Sequence, residues 1–162
     1  MNRIYAPWRA AYLMQDHEPG PDCLFCTIGG ARDDRANFVL ERAGHWYLII
    51  NRFPYTTGHL MVVCNRHVES FSELDGDEGA EFSRLLARGE RAVQEAYRPD
   101  GINVGANLGR SAGAGIVGHL HVHVVPRWHG DTNFMSAVAD TRVVSEDLAE
   151  TYERIRAALE RI

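Results

Sequence analysis

Three histidines alternate with aliphatic residues in the segment Gly118-His119-Leu120-His121-Val122-His123-Val124-Val125-Pro126. Successive side chains of a β-strand point to opposite faces, so this pattern puts all three imidazoles on one face, roughly 6.6 Å apart. Such a row can bind zinc through three nitrogens, or it can supply an imidazole nucleophile beside neighbouring imidazoles. The spacing alone leaves a zinc-dependent hydrolase and a histidine nucleophile both open.

A glycine-rich segment lies directly upstream, from Gly105 to Gly115. Its glycines permit positive φ and close backbone approach, so that successive N–H groups can surround an anion, and Asn107 and Ser111 offer further hydrogen bonds. It is neither a P-loop nor a dinucleotide-binding turn, because it lacks the Gly-Lys-Ser/Thr ending and opens a strand instead of a helix. Next to the histidines, this loop favours a phosphate ligand.

The cysteines are few and odd in number: Cys23 and Cys26 form a Cys-x-x-Cys pair, and Cys64 stands alone. This set argues against a disulfide framework. A zinc half-site, a redox pair and two buried thiols all remain open for the pair.

The elements that must position these residues predict an α+β fold. Short runs rich in β-branched and aromatic residues predict strands at 38–42, 46–51, 59–63, 102–107 and 119–126. Apolar residues at helical spacing predict helices at 77–97 and 145–162, with Ser145 as the cap of the second. We expect an antiparallel sheet of about five strands with two main helices.

The chain of 162 residues is long enough for one domain, which we place at 23–162, after an N-terminal arm at 1–22. A net charge of −5 works against binding to nucleic acid or to an anionic membrane surface. No segment approaches the ~20 apolar residues needed to span a bilayer, and no signal-peptide core is evident. We therefore expect a cytoplasmic protein.

Taken together, these residues resemble the histidine triad (HIT) family, whose signature of histidines alternating with hydrophobic residues is matched by 119–125. The segment 58–63 is similar to the family's Gly-His strand. Residues 119–134, with Pro126-Arg127-Trp128, are similar to the branch of fragile histidine triad hydrolases and bacterial diadenosine tetraphosphate phosphorylases. The segment 8–13 also resembles those phosphorylases.

The resemblance implies a homodimeric enzyme that transfers a nucleotidyl group in two steps. His121 would attack the α-phosphate of a dinucleoside polyphosphate, and water or phosphate would then release the nucleotide. A backbone carbonyl or a neighbouring imidazole would hold the Nδ1 proton of His121 and present Nε2 to phosphorus. His123, if cationic, would stabilise charge and protonate the leaving oxygen, while His59 completes the cluster. The expected substrate-binding residues are Asn51, Asn107, Ser111, Gly113, Gly115 and Trp128.

The resemblance also implies a structural zinc site, and we expect no organic cofactor. Related bacterial proteins complete such a site from the cysteine pair, a histidine after the Gly-His strand and the first triad histidine; here the ligands are Cys23, Cys26, His67 and His119. Two thiolates and two imidazoles form a closed tetrahedral set.

Hydrolysis and phosphorolysis both stay open, because Ala114-Gly115 replaces a Gly-Ser pair of the phosphorylases. The alternatives are a nucleoside phosphoramidase and a nucleotide-binding regulatory protein with low activity.

Overall fold

The computed structural model describes residues 23–132 and 146–162. Within these ranges the elements in chain order are α1 (Leu24–Gly30), β1 (Val39–Arg42), β2 (Trp46–Ile50), β3 (Leu60–Cys64), α2 (Gly76–Tyr97), β4 (Gly101–Gly105), β5 (His121–Arg127) and α3 (Leu148–Arg161). Two single 3₁₀ turns lie at Phe71–Glu73 and Arg110–Ala112. The predicted arm at 1–22 and the predicted cap Ser145 lie outside the described residues.

The five strands form one antiparallel sheet in the order β1-β2-β3-β5-β4. The first three strands follow one another as a meander. The chain then crosses through α2 to the far edge, where β4 pairs with β5, and β5 fits between β4 and β3. The predicted five-stranded antiparallel sheet and its two long helices are confirmed, and each predicted strand shifts by at most a few residues.

One face of the sheet is covered by α2 and α3. A capping box starts α2, because the Asp75 carboxylate accepts from the Glu78 N–H and the Glu78 carboxylate accepts from the Asp75 N–H. The core between these helices and the sheet contains Trp46, Leu48, Leu60, Val62, Leu85, Val93, Val124 and Ile155. Burying this apolar face is the main contribution that holds the helices to the sheet.

Helix α3 begins with Asp147 as its N-cap, whose carboxylate accepts from the Glu150 N–H at 2.8 Å. This N-cap lies two residues after the predicted cap, Ser145. Among the described residues, no helix is long and apolar enough to cross a membrane.

The opposite face of the sheet carries the short helix α1 and a second apolar cluster. This cluster contains Phe25, Ile28, Val39, Tyr47, Ile49, Met61 and Val63. In the β3–β5 ladder, His121 is opposite Val63 and His123 is opposite Met61. The period of two along β5 therefore sends Val122 and Val124 to the helical side and both imidazoles to the α1 side.

Candidate functional site

The middle histidine of the triad is held in one tautomer by its own strand. His121 is buried, and its Nδ1 lies 2.7 Å from the backbone carbonyl oxygen of His119. A carbonyl only accepts, so Nδ1 carries the proton and Nε2 keeps its lone pair. Burial lowers the pKa of His121, and the hydrogen bond to His119 opposes this effect. The neutral ring presents a nucleophilic nitrogen.

The imidazoles are closer together than the strand spacing predicts. The ring centroids of His121 and His123 are 5.1 Å apart with the rings nearly perpendicular, and those of His59 and His123 are also 5.1 Å apart. Phe25 packs against the other side of His121 at 5.0 Å. Strands β3 and β5 thus bring His59, His121 and His123 into one continuous cluster.

A short hydrogen-bonded chain connects the loop after β2 to the third triad histidine. His59 is fully buried, and its Nε2 lies 3.0 Å from Nδ1 of His123. The backbone N–H of Tyr55 donates to Nδ1 of His59 at 3.1 Å, and the Asn51 amide lies 3.4 Å from the same nitrogen. The Tyr55 ring packs on both imidazoles, with centroid distances of 4.6 Å to His59 and 5.7 Å to His123.

Burial lowers the pKa of His123 to about 4, and the neighbouring His121 contributes in the same direction. His123 is therefore neutral at pH 7 in the ligand-free protein. Burial of the ring therefore disfavours the cationic form of His123 that the sequence analysis considers. A neutral His123 ring can donate one hydrogen bond, and its role in catalysis stays a prediction.

A second cluster, which we call the Cys2His2 cluster, lies at the start of β5 and contains Cys23, Cys26, His67 and His119. Their ligand atoms all lie within 4.8 Å of one another. Sγ of Cys23 is 3.2 Å from Nδ1 of His119, and Sγ of Cys26 is 3.3 Å from Nδ1 of His67. In tetrahedral zinc coordination the S···N separation is about 3.6 Å, from bond lengths of about 2.3 and 2.0–2.1 Å. The four predicted ligands thus form a cluster that can hold a metal ion.

His119 connects the two clusters. Its Nε2 lies 2.7 Å from the carbonyl oxygen of Cys64, so Nε2 carries the proton and Nδ1 is available as a ligand. Its own carbonyl oxygen accepts from Nδ1 of His121. One residue therefore faces the Cys2His2 cluster with its ring and fixes the tautomer of His121 with its backbone carbonyl.

Helix α1, which sequence analysis missed, is positioned by side chains from β1 and β2. The Arg42 guanidinium donates to the carbonyl oxygens of Gly29 at 2.8 Å, Ala31 at 3.0 Å and Ile28 at 3.1 Å. The Tyr47 hydroxyl donates to the carbonyl oxygen of Phe25 at 2.9 Å. The Arg42 hydrogen bonds satisfy carbonyls at the end of a seven-residue helix that ends in two glycines, and Tyr47 fixes its first turn.

The glycine-rich loop connects the end of β4 to Ile116 on the α1 side of the sheet. Gly105 is opposite His123 in the β4–β5 ladder, and Ile116 packs against the α1-side apolar cluster. Gly109 and Gly113 have φ of +80° and +88°, which L-residues rarely adopt. Of the predicted phosphate-binding residues, Asn107 and Gly113 are half-buried, while Ser111 and Gly115 are exposed.

Trp128, a predicted substrate-binding residue, lies elsewhere. Its ring makes an edge contact with Tyr97 at the end of α2, with a centroid distance of 6.4 Å. Its backbone N–H donates to Asp131, whose carboxylate also accepts two hydrogen bonds from Arg127. The structure therefore places Trp128 on the helical side of the sheet, and its contact with substrate stays a prediction.

Two residues of the site have no signal in the sequence. Phe25 is recognisable only as one of the two residues between Cys23 and Cys26, and its contact with His121 depends on how α1 packs on the sheet. Tyr55 lies in a loop, and it contributes a backbone N–H, which any residue except proline has.

Comparisons with known proteins agree with this geometry. A family model described as HIT domain matches residues 33–130. An AP-4-A phosphorylase of Mycobacterium tuberculosis is 36% identical over 158 residues, which cover 93% of this chain and 80% of that protein. A bis(5'-adenosyl)-triphosphatase of Saccharomyces cerevisiae is 32% identical over 91 residues, which cover 56% of this chain and 44% of that protein.

Among solved structures, a zinc-bound histidine triad family protein of Mycobacterium smegmatis matches with a TM-score of 0.69 and 28% identity, covering 86% of this chain and 94% of that one. The residues matched by the family model contain His59 and the triad, whereas Cys23 and Cys26 precede them. The cysteine pair is therefore a feature beyond the family model's match.

Proposed function

The chain belongs to the HIT domain family and is a nucleotide-processing enzyme, and we propose that it cleaves dinucleoside polyphosphates through a covalent nucleotidyl-His121 intermediate. The observation that carries this proposal is the 2.7 Å hydrogen bond between Nδ1 of His121 and the His119 carbonyl. It fixes the tautomer whose Nε2 lone pair can attack phosphorus. Neither the intermediate nor the substrate follows from family membership alone.

In the first step, Nε2 of His121 attacks the α-phosphorus, the N–P bond forms and the bond to the bridging oxygen breaks. The electron pair of that bond leaves with the polyphosphate. His123 is next along the same face and is the nearest imidazole to the nucleophile. We propose that it donates a hydrogen bond to the departing oxygen, and so stabilises the charge that develops there.

In the second step, water or inorganic phosphate attacks the nucleotidyl-histidine, and the N–P bond breaks to return neutral His121. Water gives a nucleoside monophosphate, and phosphate gives a nucleoside diphosphate. We propose that Asn107, Ser111, Gly113 and Gly115 contact the phosphates, because the loop that carries them begins at Gly105, which is opposite His123 in the β4–β5 ladder. Asn51, beside His59, is proposed to contact the ribose.

We propose that the Cys2His2 cluster holds a zinc ion. The ligand types and their separations fit tetrahedral coordination, and the similar zinc-bound protein of Mycobacterium smegmatis supports the choice of metal. With four protein ligands, such an ion has no open position for water or substrate, so its contribution would be structural. It would fix α1 and the start of β5. Metal analysis of the purified, reduced protein tests this assignment, and one zinc per chain is expected.

A homodimer is also part of the proposal. Within the described residues, β4 pairs with β5 on one side only, and its Val104 is 48% exposed, as is nearby Leu108 at 44%. An exposed strand edge with apolar residues is a surface that a second copy can cover. The expected molar mass in solution is twice that of the chain, and Val104→Asp is expected to shift it towards the monomer.

Product analysis tests the function. The protein is incubated with diadenosine tetraphosphate, with and without inorganic phosphate, beside the His121→Ala variant. AMP and ATP formed without phosphate identify a hydrolase, and ADP and ATP formed only with phosphate identify a phosphorylase. A wild-type protein that forms neither product set would refute the proposed function.

A further inference from the structure

The loop between β2 and β3, residues 51–58, exposes two aromatic side chains beside the histidine cluster. Phe53 is 85% exposed, the largest value for a large hydrophobic side chain among the described residues, and Tyr55 is 43% exposed. A single exposed aromatic residue is ordinary on a protein surface. Here two of them lie within one short loop that borders the candidate site.

Phe53 is exposed although the backbone of its loop is held in place. The Asn51 side-chain oxygen accepts from the Phe53 N–H at 2.9 Å. The Arg52 guanidinium donates to the carbonyl oxygen of Ala36 at 3.0 Å and lies over the Phe38 ring, 5.5 Å from its centroid. The Phe53 side chain is therefore presented to water by a hydrogen-bonded loop, so a ligand that packs on it has little backbone to order.

The same loop is attached to β5 further along. The Thr56 hydroxyl donates to the carbonyl oxygen of Pro126 at 2.7 Å. The Tyr55 ring packs on His123 with 5.7 Å between centroids and the ring planes 32° apart. The exposed part of Tyr55 thus continues the surface of the histidine cluster outwards.

A row of rings gives this surface a direction. The rings follow one another in the order Phe25, His121, His123 and Tyr55, and their successive centroid distances are 5.0, 5.1 and 5.7 Å. Phe25 is buried and closes the row at the His121 end, whereas Tyr55 leaves it open to solvent at the His123 end. In the proposed reaction the leaving group departs on the His123 side, and therefore extends towards Tyr55 and Phe53.

We infer that Phe53 and Tyr55 form the surface on which the base of the leaving nucleotide stacks. This inference rests on the proposed function and names a binding surface for the half of the substrate that departs. A dinucleoside polyphosphate has two nucleosides, whereas the glycine-rich loop and Asn51 account only for its phosphates and one ribose. The second base therefore needs a surface of its own.

The charge and chemistry of the loop suit a nucleotide. Residues 51–58 contain one arginine and no acidic residue. A polyphosphate is anionic, so no carboxylate of this loop repels it. An aromatic side chain stacks on any base, because every base has a π-face. We therefore expect affinity for the second base with little preference for its identity.

The test compares two substrates that differ in the second nucleoside. Adenosine 5′-tetraphosphate keeps one nucleoside and the four phosphates of diadenosine tetraphosphate, but lacks the second base. We expect Phe53→Ala to lower kcat/KM for diadenosine tetraphosphate roughly five- to a hundredfold, and for adenosine tetraphosphate by less than about twofold, since only the former loses a base–aromatic stack. The loss should appear in KM and not in kcat, because stacking remote from phosphorus binds ground state and transition state equally.

Two further variants at Phe53 separate stacking from apolar contact. Phe53→Trp keeps an aromatic ring and should retain the wild-type kcat/KM. Phe53→Leu is apolar without a π-face and should show most of the loss seen with alanine. The matched control is Phe71→Ala, an exposed phenyl group in the 3₁₀ turn before α2, which should leave both substrates unaffected. Tyr55 is a poorer position for the test, because its ring also packs on His59 and His123.

Binding to the His121→Ala variant separates this inference from the proposed function. Measured by calorimetry, this variant should bind diadenosine tetraphosphate more tightly than adenosine tetraphosphate, and adding Phe53→Ala should abolish the difference. If wild-type protein cleaves neither substrate but this contrast is found, the proposed function fails and the stacking surface stands. Equal affinity for the two ligands, or an equal change for both substrates in Phe53→Ala, would overturn the inference. A molar mass that falls in Phe53→Ala with the substrate ratio unchanged would also overturn it, since Phe53 would then lie between two copies of the chain.

Discussion

Gly58 precedes His59 in a conformation that only glycine adopts readily, so Gly58→Ala is a sharp perturbation of the site. Its φ is +78°, and an added Cβ would lie 2.7 Å and 2.9 Å from two ring carbons of Tyr97. The Tyr97 ring has little freedom to move away, because its hydroxyl donates to Glu146 and its edge contacts Trp128. The substitution therefore combines backbone strain with overpacking.

The expected loss in the free energy of unfolding is the sum of these two effects. A left-handed backbone costs a non-glycine residue about 1–2 kcal/mol, and forcing extra atoms into a packed site costs about 1–3 kcal/mol. We expect the free energy of unfolding to fall by roughly 2–5 kcal/mol, which for a chain of this size lowers Tm by roughly 5–15 °C. Activity should fall as well, since any backbone shift at residue 58 moves His59.

Urea titration and thermal unfolding measure this change. The matched control is Gly79→Ala in α2, where an added Cβ meets nothing within 4 Å. In that helix alanine should be more stable than glycine by up to about 1 kcal/mol. We therefore expect Gly58→Ala to lower the free energy of unfolding and Gly79→Ala to raise it. A Gly58→Ala protein as stable as wild type would refute the reasoning about Tyr97 and the backbone at this turn.

Three further predictions concern the supports of the site. The Arg66 guanidinium and the Asp75 N–H hold the pKa of Glu78 at about 2 against an ordinary value of 4.5. As the pH falls, the unfolded chain takes up this proton before the folded one, so the stabilisation is complete above about pH 4.5 and is lost as the pH falls towards 2. In Glu78→Gln the denaturant midpoint of unfolding should depend less steeply on pH over that window. A variant with the same pH dependence as wild type would contradict this prediction. Arg42→Met removes the hydrogen bonds to the end of α1 and should weaken zinc binding roughly tenfold in a chelator competition, whereas unaltered affinity would contradict the anchoring role. Cys26→Ser should lower zinc content and Tm together, and a variant that keeps full zinc occupancy would show that Cys26 is not a ligand.

The sheet and its long helices were predictable because their signals are local. Alternating apolar residues and bounding turns indicate strands, and the 3.6-residue period indicates α2, which the Asp75–Glu78 capping box starts. Helix α1 could not be found this way. It has seven residues and two terminal glycines, and it is held by Arg42 and Tyr47, which follow it in the chain.

The same distinction, between features with a signal in the sequence and features that depend on packing, applies to the candidate site. The histidine strand was predictable from residue types, and the four residues that form the Cys2His2 cluster were predictable from the family resemblance. The charge on His123 was not, because it depends on burial, which a pattern does not measure. The hydrogen bond from Tyr55 to His59 could not be predicted either, since its donor is a backbone N–H.

The most direct test of the central claim is to trap the nucleotidyl group. Wild-type protein is mixed with diadenosine tetraphosphate labelled in the adenosine moiety, quenched within one turnover under alkaline conditions that preserve phosphoramidates, and mapped by peptide mass spectrometry. We expect an adenylyl group on His121 that forms and decays at rates compatible with turnover, and that is absent from His121→Ala but present in the exposed-histidine control His129→Ala. Turnover that persists in His121→Ala, or an adenylyl group on a different residue, would contradict the account.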